Sequence, residues 1–536
     1  MLNSAQQQIF TKAVEAMASM TGKPILYGPN GDAIRPTVSY SLRRDAAKKT
    51  GSLKNWNPQE VFSNQAEARE RSDIVKRSVD LSNNDPHAAG IIDTFATTVI
   101  GPGLFPMPMI NADAMGIAQS SADRLESAMS AVFNRWAPFA DAGQRMHFGH
   151  IQYLSKVSMM RYGEYFCLLP MIKDEGAIRP YYLTCQLINP MRVKTPVDRS
   201  QDSNIRDGIE MGPYGEAKYI WIKKSVTAGG RAHLPDVSSN FLRQPVRTGH
   251  RINVLHGFVC KDPEQVRGMP ILAPAIKFLR DFNDLLNAEL VSNVVTAALS
   301  YFIEVADDPY NLAAKFATDI SRHTDYNGAQ RTVRYEETYP GRIMYGNAGE
   351  KPHLLAANRP GTTFEPFTKT VKKSISMACN NIPYPVLFKD VEGVNHAGFR
   401  SAMLEAWRVF SMERIWHGRD FCQPIFTMLQ EEAYLRNELK FRNFYYRMHE
   451  VCRCDWRGAP KGDIEPIKAA NANKILKEMG VKTDARIIAE NGDGDFASTI
   501  RQLKEEKAAR KAAGLLAEPE PEKATNKGAE ENNNAQ

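Results

Sequence analysis

The 536 residues contain no Gly-x-x-x-x-Gly-Lys segment followed by Ser or Thr. ATP hydrolysis by the phosphate-loop mechanism is thereby excluded, and any ATP-driven motor must be a separate protein. Also missing are HExxH, GxSxG and a paired CxxC, which removes the common zinc protease, serine hydrolase and zinc-ribbon readings. No apolar run is long enough to cross a membrane: the most apolar long stretch, residues 285–302, is interrupted by Asn287, Glu289, Ser292 and Asn293. Residues 1–20 mix polar with apolar side chains and lack the core of a secretory signal. Seven cysteines, an odd number in a long chain, read as free thiols of a reducing compartment rather than a disulfide framework.

What is present is the composition of a folded protein, 43% hydrophobic and 24% charged, with length for about two to four domains. The net charge is +7, and residues 517–536 carry five Glu against two Lys, leaving about +10 on the rest. Such an excess suits an anionic partner.

Residues 61–99 read as two helices joined at Asn84-Asp85-Pro86, because Pro86 lacks a backbone donor and suits a first helical turn, with Asn84 or Asp85 as cap. The second helix stops at Gly101-Pro102-Gly103, and another follows over 120–136. Residues 162–251 change to short β-rich runs punctuated by Gly, Pro, Asn and Asp, with a hairpin about Gly212-Pro213-Tyr214-Gly215. A long helix is expected over 274–302: Leu279, Phe282, Leu286, Leu290, Val294 and Ala298 recur at three and four. They form one apolar stripe about 45 Å long at ~1.5 Å per residue, which must bury against other helices. Residues 307–360 are mixed and polar, a small α/β lobe with a short helix over 311–322 and strands in TVRYEETY and GRIMYG.

A further helix over 364–380 carries Lys369, Lys372 and Lys373 on a polar face, opposite Phe367, Val371 and Ile375. Pro383 and Pro385 end it, and a polar loop follows over 388–398. A long helical region runs over 399–439, with more helices at 465–479, 484–490 and 495–513, and the last twenty residues have too little apolar surface to order.

Little of this points to chemistry. His449, Cys452 and Cys454 offer three soft ligands in six residues, but a zinc site wants a fourth ligand and wider spacing, so packed thiols are the reading. Asn491-Gly492-Asp493-Gly494-Asp495 lacks the full acidic series of a calcium loop and reads as a turn with Asp495 as helix cap. No cofactor and no metal is expected.

Several segments in order resemble the lambda-type phage portal family: Asn84-Asp85-Pro86-His87-Ala88-Ala89-Gly90-Ile91-Ile92-Asp93, Val99-Ile100-Gly101-Pro102-Gly103-Leu104, Leu187-Ile188-Asn189-Pro190-Met191-Arg192, Ile205-Arg206-Asp207-Gly208-Ile209-Glu210 and Glu264-Gln265-Val266-Arg267-Gly268-Met269-Pro270. Later, Asn395-His396-Ala397-Gly398-Phe399-Arg400 opens a helix containing Glu405-Ala406-Trp407, with Ala397-Gly398 where the family has hydroxyl residues. The resemblance covers roughly residues 60–510.

It implies an α+β portal fold: an N-terminal segment (1–60), a helical then β-rich wing (61–273), a first stem helix (274–303), an inserted α/β clip (304–362), a second stem helix (363–385), a tunnel loop (386–398), long wing helices (399–464), a helical crown (465–515) and an acidic tail (516–536). It further implies a homo-oligomeric ring, typically a dodecamer, through which double-stranded DNA passes, with the terminase large subunit, a major capsid or scaffold protein and head-tail connector proteins as partners. The expected place is the capsid vertex of the virion, after assembly in the bacterial cytoplasm, without enzymatic activity and without a membrane.

On that reading the channel candidates are Lys369, Lys372, Lys373, Lys389, Asn395 and His396, and the terminase-docking candidates are Asp307, Asp308, Arg322, Glu336 and Glu337. A metal-dependent DNA-processing enzyme and a non-enzymatic head-tail adaptor are the alternatives.

Overall fold

In the computed structural model the described residues are 63–513, apart from 174–177, 225–234, 304–320, 325–329, 334–341, 346–363, 442, 461, 463–464 and 492–495, together with 12, 26–27 and 33–34. The chain divides into two units, 1–62 and 63–536. In the first, Leu26–Tyr27 pairs antiparallel with Ala33–Ile34.

The second unit opens with α1 (Ser63–Asn84) and α2 (Pro86–Val99). The break has the expected cause: Pro86 occupies the first turn of α2, and the Asp85 carboxylate caps it by accepting from the Ala88 amide at 2.8 Å. After α2 come the edge strand β1 (Phe105–Pro108), α3 (Gln119–Trp136) and α4 (Phe148–Tyr162). Helix α4 was not legible in the sequence. It buries Gln152, Ser155 and Lys156 beside Phe148, Ile151 and Met160, so its inward face carries no clean apolar period.

The β-rich part forms two sheets. Strands β2 (Glu164–Leu168), β3 (Gln186–Ile188) and, later in the chain, Val254–Phe258 make an antiparallel trio with β2 central. Between them β4 (Ile205–Arg206), β5 (Ile209–Met211), β6 (Ala217–Lys223) and β7 (Phe241–Pro245) make a four-stranded meander. The predicted reversal joins β5 to β6, with Gly215 at φ 81°. Phe166, Ile188, Val193, Ile209, Ile220, Ile222 and Val254 fill the core of this part. Val254–Phe258 is β8.

Helix α5 spans Ile276–Ala298, then β9 (Leu299–Ile303) continues the chain. The expected helix thus ends early, because Leu299–Ile303 pairs in parallel with β12 (Arg342–Tyr345) and tertiary pairing overrides helical spacing. Between them β10 (Ser321–Thr324) and β11 (Gln330–Val333) form an antiparallel pair. This corrects the helix expected over 311–322 at its end: Arg322 lies in a strand, in register with Thr332, and 311–320 lie outside the described residues. The expected strand in GRIMYG is β12, and that in TVRYEETY coincides with β11 at Thr332 and Val333.

Helix α6 is Phe364–Ala378. Its inward face differs from expectation: Thr368, Ile375 and Cys379 are buried while Phe367 is exposed. At ~100° per residue Thr368 lies about 20° from Ile375 around the helix and Phe367 about 80°. The long helical region is α7 (His396–His417) and α8 (Gln423–Leu435), separated by a π-turn at Gly418–Cys422. Pro424 explains the interruption, since it has no N–H for the carbonyl one turn back. Strand β13 (Cys454–Arg457) pairs antiparallel with β1. Helices α9 (Pro466–Glu478), α10 (Asp484–Asn491) and α11 (Phe496–Ala512) follow.

The main core gathers Phe95 of α2, Phe133 and Trp136 of α3, Phe148 of α4, Phe410 of α7 and Phe426 of α8. Phe95 meets Phe410 edge to face at 5.5 Å. No helix among the described residues is long and apolar enough to cross a membrane.

Candidate nucleic-acid interface and the buried ionic centre

Ile375, Cys379 and Ile382 anchor the end of α6 in the core, and Asn380 and Asn381 turn the chain in the left-handed region at φ 56° and 54°. A short helical turn, Tyr384–Leu387, buries Leu387. From there the backbone passes Lys389 at φ 55° and Gly393 at φ 71° and enters α7.

The six channel candidates fall into this one region, in different settings. Lys369 and Lys373 lie far around α6 from the buried Ile375, and Lys372 lies only about 60° from it. Accordingly Lys372 turns toward the loop, 3.4 Å from Asp390 and 6.0 Å from the Phe388 ring centre. Lys369 pairs with Glu365 at 2.6 Å, which raises its pKa. Lys373 lies 5.5 Å from the Tyr384 ring centre. Lys389 is exposed. Asn395 uses its side-chain oxygen to cap α7, accepting from the Gly398 amide at 2.7 Å. His396, the first residue of α7, is exposed. Its neighbour across the surface is Glu465, which also pairs with Arg400 at 3.0 Å and Lys468 at 2.9 Å.

Of the docking candidates, Arg322 lies in β10; Asp307, Asp308, Glu336 and Glu337 lie outside the described residues. His449, Cys452 and Cys454 line one cleft of about 420 Å³. Burial pushes the Cys452 thiol up to about 12, and among the described residues no group of three metal-ligating side chains converges. Asp493 and Asp495 lie outside the described residues.

Sequence reasoning missed the most organised polar feature, a buried centre on Glu164 at the start of β2. Arg267 Nη2 donates to Oε1 at 2.6 Å and Arg267 Nε to Oε2 at 2.8 Å. Arg71 Nη1 of α1 donates to Oε1 at 3.0 Å, and His256 Nε2 of β8 lies 2.9 Å from Oε2. Burial would raise the Glu164 pKa, but Arg267, His256 and Arg71 together hold it well below the carboxylate range. His256 is pushed down by burial against the opposing pull of Glu164; against an ionised carboxylate, which only accepts, its Nε2–H is the donor.

Arg267 also donates to the carbonyls of Val193 at 3.1 Å, Pro190 at 3.3 Å and Asp207. Asp207 itself accepts from Arg71 Nε at 2.6 Å. Three of the segments singled out in the sequence, those holding Pro190, Asp207 and Arg267, thus meet around one carboxylate. The available signal was the recurrence of Gly beside charge. A Cβ at Gly268 would stand 2.0 Å from the Gly163 carbonyl oxygen, so only glycine lets these two backbone segments close.

A second buried pair, Lys156 of α4 with Glu413 of α7 at 2.6 Å, joins the body to the end of α6, since Asn380 Nδ2 donates to Glu413 at 3.3 Å.

The family model for phage portal protein, lambda family, matches residues 49–414. Portal protein B of Escherichia phage lambda is 21% identical over 518 residues, covering 92% of this chain and 94% of that protein. The portal protein of Escherichia phage N15 is 21% identical over 513 residues, with the same two shares. Among solved structures, the neck of a native gene transfer agent particle computed with C12 symmetry aligns over 89% of this chain and 98% of the other, with 14% identity and a TM-score of 0.36. The neck of an empty particle computed with C6 symmetry aligns over 81% and 93%, with 14% identity and a TM-score of 0.37. With the family model spanning well over half of its residues, the chain belongs to the lambda family of phage portal proteins, the family of the capsid vertex.

Proposed function

We propose that copies of this chain close into a ring, a dodecamer, at the capsid vertex, and that double-stranded DNA enters and leaves the capsid through its axial channel. The observation that carries the ring is on α5. Its apolar stripe is fully buried at Leu279 and nearly so at Phe282, yet Leu290 is 63% exposed and Val294 55%. Side chains of one stripe that leave water at one end and face it at the other call for a second surface. Ring closure supplies that surface from the neighbouring copy without any further protein.

On this reading α5 and α6 are the stem, residues 304–362 the clip, 386–398 the tunnel loop and 465–515 the crown, with 61–273 and 399–464 as the wing. Lys369, Lys372, Lys373, Lys389, Asn395 and His396 face the duplex. Contacts to phosphates carry no sequence information, as a conduit for a whole genome requires. Duplex DNA carries one charge per ~1.7 Å of axis, so a belt of fixed, unpaired lysines would hold it fast. The pairing of Lys369 with Glu365 and of Lys372 with Asp390 moderates that belt.

Asp307, Asp308, Arg322, Glu336 and Glu337 present the clip to the terminase large subunit. The capsid or scaffold protein and the head-tail connector proteins meet other faces, and the chain itself catalyses no reaction. It assembles in the host cytoplasm and ends in the virion.

Negative-stain imaging of the purified protein tests the reading: rings with a central hole are expected, and a population of monomers or dimers at all concentrations overturns it. Deleting residues 311–330 is expected to abolish binding of the terminase large subunit while rings persist. Undiminished binding moves the docking site elsewhere.

A further inference from the structure

The loop between α6 and α7 is fixed at both ends and nearly free between. At its start, Phe388 packs against His87 of α2, with ring centres 5.8 Å apart, and His87 packs against Phe282 of α5 at 5.1 Å. At its far end, Asn395 caps α7. Between these anchors Val391, Glu392 and Gly393 are exposed, and Lys389 and Gly393 adopt left-handed backbone. Among the described residues the ionic tether across this span is Lys372 to Asp390, 3.4 Å long and linking residues 18 apart in the chain. Its side chains are 24% and 16% exposed, so water screens the pair far less than it screens Lys369 with Glu365, whose carboxylate is 68% exposed.

We infer that Lys372 and Asp390 form a latch that positions the loop, and that DNA phosphate opens it by competing with the Asp390 carboxylate for the same ammonium. This rests on the portal reading for its trigger, though not for the latch itself. Carboxylate and phosphate are both oxyanions that accept from an ammonium in the same way. A phosphate that takes Lys372 releases Asp390, whose freed charge stands beside Glu392 and repels the next phosphate. Binding to DNA at this point therefore limits itself, and the duplex is touched without being held. Lys372 is thus a positioning residue, acting through the loop as well as by its own charge. The other charged groups about the latch, Lys369, Glu365 and Glu392 on the loop side and His87 with Asp85 on the α2 side, are untouched by the substitutions that test it.

The test is hydrogen exchange at the Val394 amide, which donates to the Val391 carbonyl at 3.2 Å within the loop, measured on the full chain as purified. Asp390→Asn and Lys372→Met are each expected to speed exchange there about tenfold, with the amides of α6 and α7 unaltered. The exchanged pair, Lys372→Asp with Asp390→Lys, is expected to restore the wild-type rate. Addition of a short DNA duplex to wild-type rings is expected to raise the rate toward that of Asp390→Asn. An unchanged rate in Asp390→Asn, or no restoration by the exchanged pair, overturns the latch while leaving the proposed ring untouched. A latch that responds to substitution but not to DNA overturns the competition. Failure of the wild-type chain to form rings contradicts the portal reading alone, because the substitution series reads equally well on subunits.

Discussion

The body around Glu164, on one side, and the second half of α5 with α9, on the other, satisfy their side chains in opposite ways. Around Glu164 every charge finds its partner within the subunit: Arg267, Arg71 and His256 converge on one carboxylate, and Gly163 and Gly268 bring their backbone segments close enough to allow it. Along the second half of α5, Leu290, Val291 and Val294 face water, and α9 has no buried residue at all, with Ile467 78% exposed. The first region is complete as a monomer. The second carries apolar surface that only another surface can complete, and the contrast separates what folds the subunit from what assembles it.

The largest effect should come from breaking the complete side. Glu164→Ala leaves the buried Arg267 and Arg71 with only the partly exposed Asp207 as counter-charge, and is expected to cost about 3–5 kcal/mol of stability, measured by denaturant unfolding. Lys156→Met strands Glu413 in the same way and should cost a similar amount. Acid acts on the Glu164 carboxylate. Its pKa is depressed in the folded state, so its contribution is present above the unfolded value of ~4.3 and is lost as pH falls below it. Thermal unfolding followed from pH 7 downward should show stability declining below about pH 4.5, and the decline should be shallower in Glu164→Ala.

The incomplete side should behave in reverse. Leu290→Asp removes little from the folded subunit, within about 0.5 kcal/mol as for other exposed positions, yet should prevent ring closure. Adding Leu286→Asp should also damage the subunit, because Leu286 is partly buried against the core. The smallest structural effect belongs to Lys389→Ala with His396→Ala, both exposed. Rings and melting temperature should be unchanged while the length of packaged DNA or its retention shifts; wild-type packaging would remove these two residues from the mechanism.

Much of the helical frame was legible because local chemistry decided it. Pro86 and Asp85 start α2, and Pro383 and Pro385 close the end of α6. The end of α5, the strand at Arg322 and the π-turn at Gly418–Cys422 were not legible, since the distant pairing of Leu299–Ile303 with Arg342–Tyr345, the local pairing of Ser321–Thr324 with Gln330–Val333 and a single Pro424 override spacing. Helix α4 was hidden by its own buried polar residues. For the site, the spacing of the lysines placed them on one helix, but only packing shows that Lys372 turns to Asp390 while Lys373 does not. The Glu164 centre was not read, although Gly stands beside charge at Glu164, Asp207 and Arg267, because its charges come from segments some ninety to two hundred residues apart and nothing local pairs them.

The central claim is that the exposed half of α5 is completed by a neighbouring copy, and native mass spectrometry of wild type beside Leu290→Asp tests it most directly. Closed rings from the wild type and folded single subunits from the variant are the predicted result. Rings of equal stability from both proteins would contradict it.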